Sequence, residues 1–172
     1  QCIDHRIIAH KPKSLSFAEA ASLPLTALTA WEGLHDRMRV SSGKSLLIIG
    51  GAGGVGSIAI QLAKLAGLHV TATASRKESA DWCRRLGADA VIDSTLSANE
   101  IKEQAKQISG GGVDYIYDPV GGEVGETCLR ALTDDGQYLV IGFVAGIPML
   151  PANQVLLRNR RITGVDWGAW SM

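Results

Sequence analysis

From about residue 44 onward, short apolar runs alternate with longer segments in which apolar residues recur every three or four positions. Leu46-Leu47-Ile48-Ile49 is an uninterrupted apolar run, too short for a helix and typical of a strand covered on both faces. Glycines from Gly50 to Gly56 follow it. Ile58, Leu62, Leu65 and Ala66 then recur at helical spacing, and Gly67 stops that helix. The rhythm repeats. Residues 70–74 read as a strand, and Ser75-Arg76-Lys77-Glu78 has the spacing of a capping box that opens a helix to about Leu86. Ala90-Val91-Ile92 is a third strand. Ser97-Ala98-Asn99-Glu100 caps the next helix, which ends at Gly110-Gly111-Gly112. Residues 113–117 form a fourth strand, with a helix from about Glu123 to Leu132. Asp134-Asp135-Gly136 reads as a turn, residues 138–141 as a fifth strand and residues 162–165 as a sixth. Before this series, Ser16 and Glu19 have capping-box spacing and predict a short helix to about Ser22. Pro24 then opens a second helix to about Met38, since Pro is tolerated in a first turn. Strands alternating with helices predict βαβ units and a parallel sheet, and right-handed crossovers put helices on both faces. The expectation is a doubly wound α/β fold of about six strands.

Gly51-Ala52-Gly53-Gly54-Val55-Gly56 is a GxGxxG placed between a buried strand and an amphipathic helix, the context in which that spacing binds a dinucleotide. Gly51 is assigned the tight turn, Gly53 the close approach of a pyrophosphate, and Gly56 the close packing of helix on strand. The helix N-terminus offers unpaired N–H groups and partial positive charge to the phosphates. An NAD site wants an acidic residue roughly 20 positions on, to accept from the ribose 2′-OH. Between Gly56 and Arg76 there is none; the second strand ends in Ser75-Arg76-Lys77. A carboxylate there would repel a 2′-phosphate, whereas a guanidinium binds it bidentately. Arg76 is therefore the expected 2′-phosphate ligand, supported by Ser75 and Lys77, and the expected cofactor is NADPH. One hydrogen bond to a charged group is worth about 1.5–3 kcal/mol, which is roughly tenfold or more in preference. Ligands of open α/β sheets bind outside the carboxyl ends of the strands. Val120, Ile141, Gly142 and Phe143 follow the fourth and fifth strands and are expected to line the nicotinamide half. Tyr115 and Tyr117 share one strand face and read as packing.

Composition narrows the partners. Lys plus Arg and Asp plus Glu number 17 each, so the formal net charge is zero, which argues against nucleic acid or an anionic membrane as the main partner. No apolar run approaches the roughly 20 residues that span a bilayer. Cys2, Cys83 and Cys128 are far apart and fit reduced thiols in a cytoplasmic protein. None has metal-ligand spacing with another Cys or with His5, His10, His35 or His69, so no metal site is expected within the chain. The start at Gln1 lacks both an initiator Met and the apolar region of a signal peptide, and reads as cut from something longer. The strand at 162–165 would sit at a sheet edge, and an uncovered apolar edge invites a homodimer.

Taken together, these segments resemble the medium-chain dehydrogenase/reductase superfamily, and most of all its NADPH-dependent quinone oxidoreductase-like branch. The resemblance rests on residues 15–24, on Thr29-Ala30-Trp31, on the phosphate loop (with Gly51 where many relatives have Ala), on residues 86–93 and 113–121, and on residues 164–170 as a final strand. It implies a Rossmann sheet of order 3-2-1-4-5-6 and a place for Thr29 beside the cofactor. It also implies that residues 1–22 lead in from an N-terminal catalytic domain, while residues 23–172 form the NAD(P)-binding domain. Ser79 stands where some relatives have Lys, and Ser94 where some have Tyr, so the phosphate pocket would lean on Arg76. The implied activity is hydride transfer from NADPH to a quinone or an activated C=C or C=O substrate. No catalytic residue is assigned within this chain, which is expected to turn over poorly alone. The rivals are a zinc-dependent alcohol dehydrogenase, a non-catalytic dinucleotide-binding module, and a methyltransferase whose glycine loop also follows a first strand.

Overall fold

The apolar runs form one sheet in which every neighbouring pair is parallel. The computed structural model describes residues 4–170; Cys2 lies outside them. The strands are β1 (Ser45–Ile48), β2 (His69–Ala74), β3 (Ala90–Asp93), β4 (Val113–Asp118), β5 (Leu132–Val140) and β6 (Arg161–Gly164), in the order β3-β2-β1-β4-β5-β6. The helices are α1 (Phe17–Trp31), α2 (Gly54–Leu65), α3 (Lys77–Arg85), α4 (Ala98–Ile108), α5 (Gly122–Cys128), α6 (Ala152–Leu156) and α7 (Trp167–Trp170). Side chains alternate across each strand and feed two cores. Leu46, Ile48, Val70, Ala72, Tyr115 and Tyr117 pack on one face with residues of α1 and α2. Leu47, Ile116 and Tyr138 pack on the other with residues of α4 and α5. Strand order reverses between β1 and β4, and that reversal opens a crevice at their carboxyl ends.

Asp114 ties β4 to β1 at the opposite end of the sheet. Its carboxylate accepts from the Ser45 N–H at 2.8 Å, the Ser45 hydroxyl at 2.9 Å and the Lys44 ammonium at 3.0 Å. Burial alone would raise the Asp114 pKa, but these donors together hold it below the ordinary value. Tyr115 and Tyr117 are core residues, as their shared face predicts. The Tyr117 hydroxyl has no hydrogen-bond partner among the described residues, and burial pushes its pKa upward.

Several local expectations are corrected. Residues 16–38 do not form two helices split at Pro24. One helix runs from Phe17 through Pro24 to Trp31 and passes into a π-helical stretch at Glu32–Arg37. The lost Pro N–H is one bond among a full turn of others, and the C-terminal part of α1, where Thr29 and Ala30 are buried, anchors the helix, which packs on α2. The Ser16/Glu19 and Ser97/Glu100 capping boxes form in both directions. The Ser75/Glu78 box does not: α3 starts one residue later, with Arg76 at its N-cap and no side-chain cap bond. Asp134-Asp135-Gly136 is an irregularity inside β5 rather than a turn before it. Val113 pairs with Leu132 and Tyr115 with Gln137, so the residues between bulge outward, with Asp135 at φ +60°. The resemblance of residues 164–170 to a final strand holds only to Gly164, because residues 167–170 form a helical turn.

Candidate cofactor-binding cleft

The glycine loop is held by the neighbouring strand. The Gly50 N–H donates to Thr73 Oγ1 at 2.9 Å, and the Gly51 N–H donates to the Thr73 carbonyl at 2.9 Å. The left-handed residue of the turn is Gly50 (φ +74°), not Gly51 as the motif spacing suggests. Gly51 is required for packing: a Cβ there would lie 2.6 Å from the Ala72 Cβ and 3.2 Å from Cys83 Sγ. Gly56 has the role expected of it, since a Cβ would come within 2.3 Å of the Gly50 carbonyl oxygen. Gly53 is the N-cap of α2, where a glycine supplies no capping side chain. The first turn of α2 therefore borders the crevice with its N–H groups available to an anion.

The crevice is a cleft of about 670 Å³, within the range of small-molecule sites. Ala52, Gly53, Gly54, Val55 and Gly56 form its floor, and Ser75 and Arg76 stand at one end. Ser79 and Ser94 also line the cleft, while Ile101, Val120 and Val124 form an apolar wall. Among the described residues, Arg76 is the one charged residue along this lining. It is exposed, and among the described residues its guanidinium has no hydrogen bond or ion pair. With the capping box unformed, the Ser75 hydroxyl is not committed to the helix either.

Other sequence-predicted residues lie elsewhere. Lys77 does not line the cleft; it borders a smaller hollow with Arg76, Arg84 and Asp93. Gly51 sits beneath the loop, buried against β2. Thr29 is buried on α1 and donates its hydroxyl to the Leu25 carbonyl at 2.7 Å, away from the cleft lining. Val120 does not group with Ile141, Gly142 and Phe143. It lies in the main cleft, whereas Ile141 and Phe143 line a separate groove with Arg37 and Val165. Gly142 is pressed on Pro119, whose carbonyl oxygen would be 2.9 Å from a Cβ. Sequence reasoning missed Thr73, Ile101, Val124 and Ala145 on the cleft lining, whereas Val144 lies there as its place after the fifth strand suggests. Of the missed residues, Thr73 carried a signal, as the polar residue between Ala72 and Ala74 at the end of β2.

The wall beyond β4 is built from two loops bonded to each other. The Ala145 N–H donates to the Val120 carbonyl at 2.8 Å, and the Gly122 N–H to the Gly146 carbonyl at 2.8 Å. Asp118, almost fully buried, accepts the Val120 and Gly121 N–H groups at 2.8 Å each and the Tyr138 hydroxyl.

Residues 54–172 match the family model of zinc-binding dehydrogenases. The chain belongs to that family. It is the cofactor-binding domain of the medium-chain dehydrogenase/reductase superfamily, and the Rossmann sheet with its strand order agrees with that membership. A zinc-type alcohol dehydrogenase-like protein of Staphylococcus aureus is 46% identical over 123 residues, covering 68% of this chain and 35% of that protein. A quinone oxidoreductase-like protein 2 homolog of Nematostella vectensis is 37% identical over 163 residues, covering 93% of this chain and 44% of that protein. The chain thus spans less than half the length of both. Among solved structures, the quinone oxidoreductase of Thermus thermophilus, determined also with NADPH, superposes with a TM-score of 0.81 at 31% identity, over 93% of this chain and 50% of that one. Among the described residues, no three His, Cys, Asp or Glu side chains come together to hold a metal.

Proposed function

We propose that this domain binds NADPH and serves an oxidoreductase that reduces a quinone or an activated C=C or C=O substrate. The observation that carries the reading is the charge of the cleft: among the described residues, Arg76 is unpaired and is the only charged group lining the cleft, beside a glycine loop and an uncapped helix N-terminus. A diphosphate suits the floor, and a 2′-phosphate suits Arg76 with Ser75 beside it and Lys77 behind. When bound, the reduced nicotinamide supplies hydride; the chain supplies binding and orientation. The Thermus quinone oxidoreductase, with its NADPH complex, supports both the cofactor and the substrate class. Residues 23–172 are then the dinucleotide-binding unit and residues 1–22 a lead-in from a catalytic domain, the two sharing helix α1. The zinc-type name of the staphylococcal relative favours a second reading, a zinc-dependent alcohol dehydrogenase. Metal analysis of the full-length protein separates the two.

The test is titration with NADPH and NADH. Arg76→Ala is expected to weaken NADPH binding about tenfold or more and to leave NADH within about twofold. Equal affinity of the wild type for both cofactors would remove the phosphate assignment. The protein is further proposed to work in the cytoplasm and as a homodimer. No described helix is long and apolar enough to cross a membrane. Strand β6 is an edge with Ile162 partly exposed, ready to pair with β6 of a second copy. Light scattering should then give twice the chain mass, and a monomer at every concentration tested would exclude the pairing.

A further inference from the structure

We propose that Tyr138 and Asp118 are positioning residues that hold the apolar wall of the cleft in shape for the dinucleotide. The inference rests on the reading of the cleft as a dinucleotide site. Neither side chain lines the cleft; they act through the backbone of the loop after β4. In the parallel pairing of β4 with β5, Tyr138 lies beside Ile116 and Val140 beside Asp118. Tyr138 and Asp118 therefore share a face of the sheet, with Asp118 one step nearer the cleft. One carboxylate oxygen of Asp118 accepts two consecutive N–H groups, from Val120 and Gly121, and the other accepts the Tyr138 hydroxyl. Asp118 is 1% exposed and Tyr138 0%, so water cannot replace any of the three donors. Burial first, and the Asp118 charge second, push the Tyr138 pKa upward, so the phenol stays a donor at any working pH.

The consequence lies in the direction of the wall's polar groups. The N–H groups of Val120 and Gly121 are turned inward to Asp118, and the Val120 carbonyl is taken by Ala145. What remains on the cleft side is apolar: Pro119, Val120 and Val124 from one strand end, with Val144 and Ala145 from the next. Such a wall suits a flat ring, and its spacing from the glycine loop is set by the Asp118 bonds. Gly121 at φ +71° and Gly122 at φ +60° let the chain follow that path.

Tyr138→Phe removes one donor with no change of shape and leaves a buried carboxylate oxygen unpaired. Amide hydrogen exchange at Val120 and Gly121 is expected to rise about tenfold, whether or not a ligand is present. Binding of NADPH and NADH is expected to weaken by a common factor of about three to ten, well below the melting temperature, with the ratio of the two affinities unchanged. Asp118→Asn keeps an acceptor for both N–H groups and turns its amide toward the Tyr138 oxygen. It should bind close to wild type, while Asp118→Ala binds at least as weakly as Tyr138→Phe. Unchanged exchange at Val120 and Gly121 in Tyr138→Phe would overturn the inference, as would unchanged affinities in a destabilised variant, which is the pattern of a purely structural bond. Wild-type protein that binds neither cofactor would instead sink the dinucleotide reading, and the exchange measurement would still decide whether the pair holds the loop.

Discussion

Gly56→Ala is expected to abolish measurable dinucleotide binding and to lower stability by about 3 kcal/mol, at the upper end of ordinary overpacking costs. In an exposed helix the same change would stabilise by about 1 kcal/mol through propensity. Here a Cβ would lie 2.3 Å from the Gly50 carbonyl oxygen and 2.9 Å from the Gly51 Cα. Both are backbone atoms, so no side-chain rotation relieves the contact. Either α2 slides away from β1, or the loop from Gly50 to Gly53 opens. Each response breaks the Gly53 N–H bond to the Gly50 carbonyl, 3.1 Å, and moves the helix N-terminus from the cleft floor. Urea unfolding and NADPH titration on the one variant measure both losses. A variant with wild-type stability and affinity would mean that the tight approach of α2 to the loop does not exist in solution.

The same contact explains why part of this site could be read from the sequence and part could not. Strand, glycine loop and helix are local in the chain, and the period of apolar residues changes visibly from one to the next. Arg76 is local too: it is the second residue after the end of β2, where an acidic residue is missing. Which glycine takes the left-handed conformation is not local. The spacing marks Gly51, but the turn falls on Gly50, and Gly51 is fixed by Ala72 and Cys83 on other elements. Capping shows the same division. Ser16, Ser97 and Ser75 all stand three residues before Glu, and the first two close their boxes. At Ser75 the chain leaves β2 extended through Arg76, at φ −130° and ψ 152°, so the helix starts too late for the box. That frees the Ser75 hydroxyl beside Arg76. Sequence reasoning also grouped Val120 with Ile141 and Phe143 because all follow strand ends. The loops after β4 and β5 bond to each other, however, and turn Val120 into one cavity and Phe143 toward another. The Asp118–Tyr138 bond joins residues 20 apart on adjacent strands, a pairing that no periodicity within one strand can reveal.

Gly125→Ala is expected to destabilise the fold by about 2–3 kcal/mol, although Gly125 lies inside α5, where Ala is the better helix former. The sign is decided by what a methyl group would meet. An added Cβ would sit 2.5 Å from Asp118 Oδ2 and 2.6 Å from the Tyr138 hydroxyl oxygen. These are the two atoms of one buried hydrogen bond, so the methyl must either part them or push α5 off the sheet. Parting them strands a buried carboxylate oxygen, which costs more than an exposed bond because water cannot replace the donor. Pushing α5 outward opens the core around Cys128 and Leu129, both fully buried. At Cys128 burial, with Asp118 second, pushes the thiol pKa up to about 12. The propensity gain of about 1 kcal/mol is smaller than either loss. Urea unfolding of Gly125→Ala, alone and combined with Tyr138→Phe, measures this directly. If the methyl acts on the Asp118–Tyr138 bond, the double variant loses clearly less than the sum of the two single losses. A stabilising Gly125→Ala, or strict additivity with Tyr138→Phe, would show that α5 does not press on this pair.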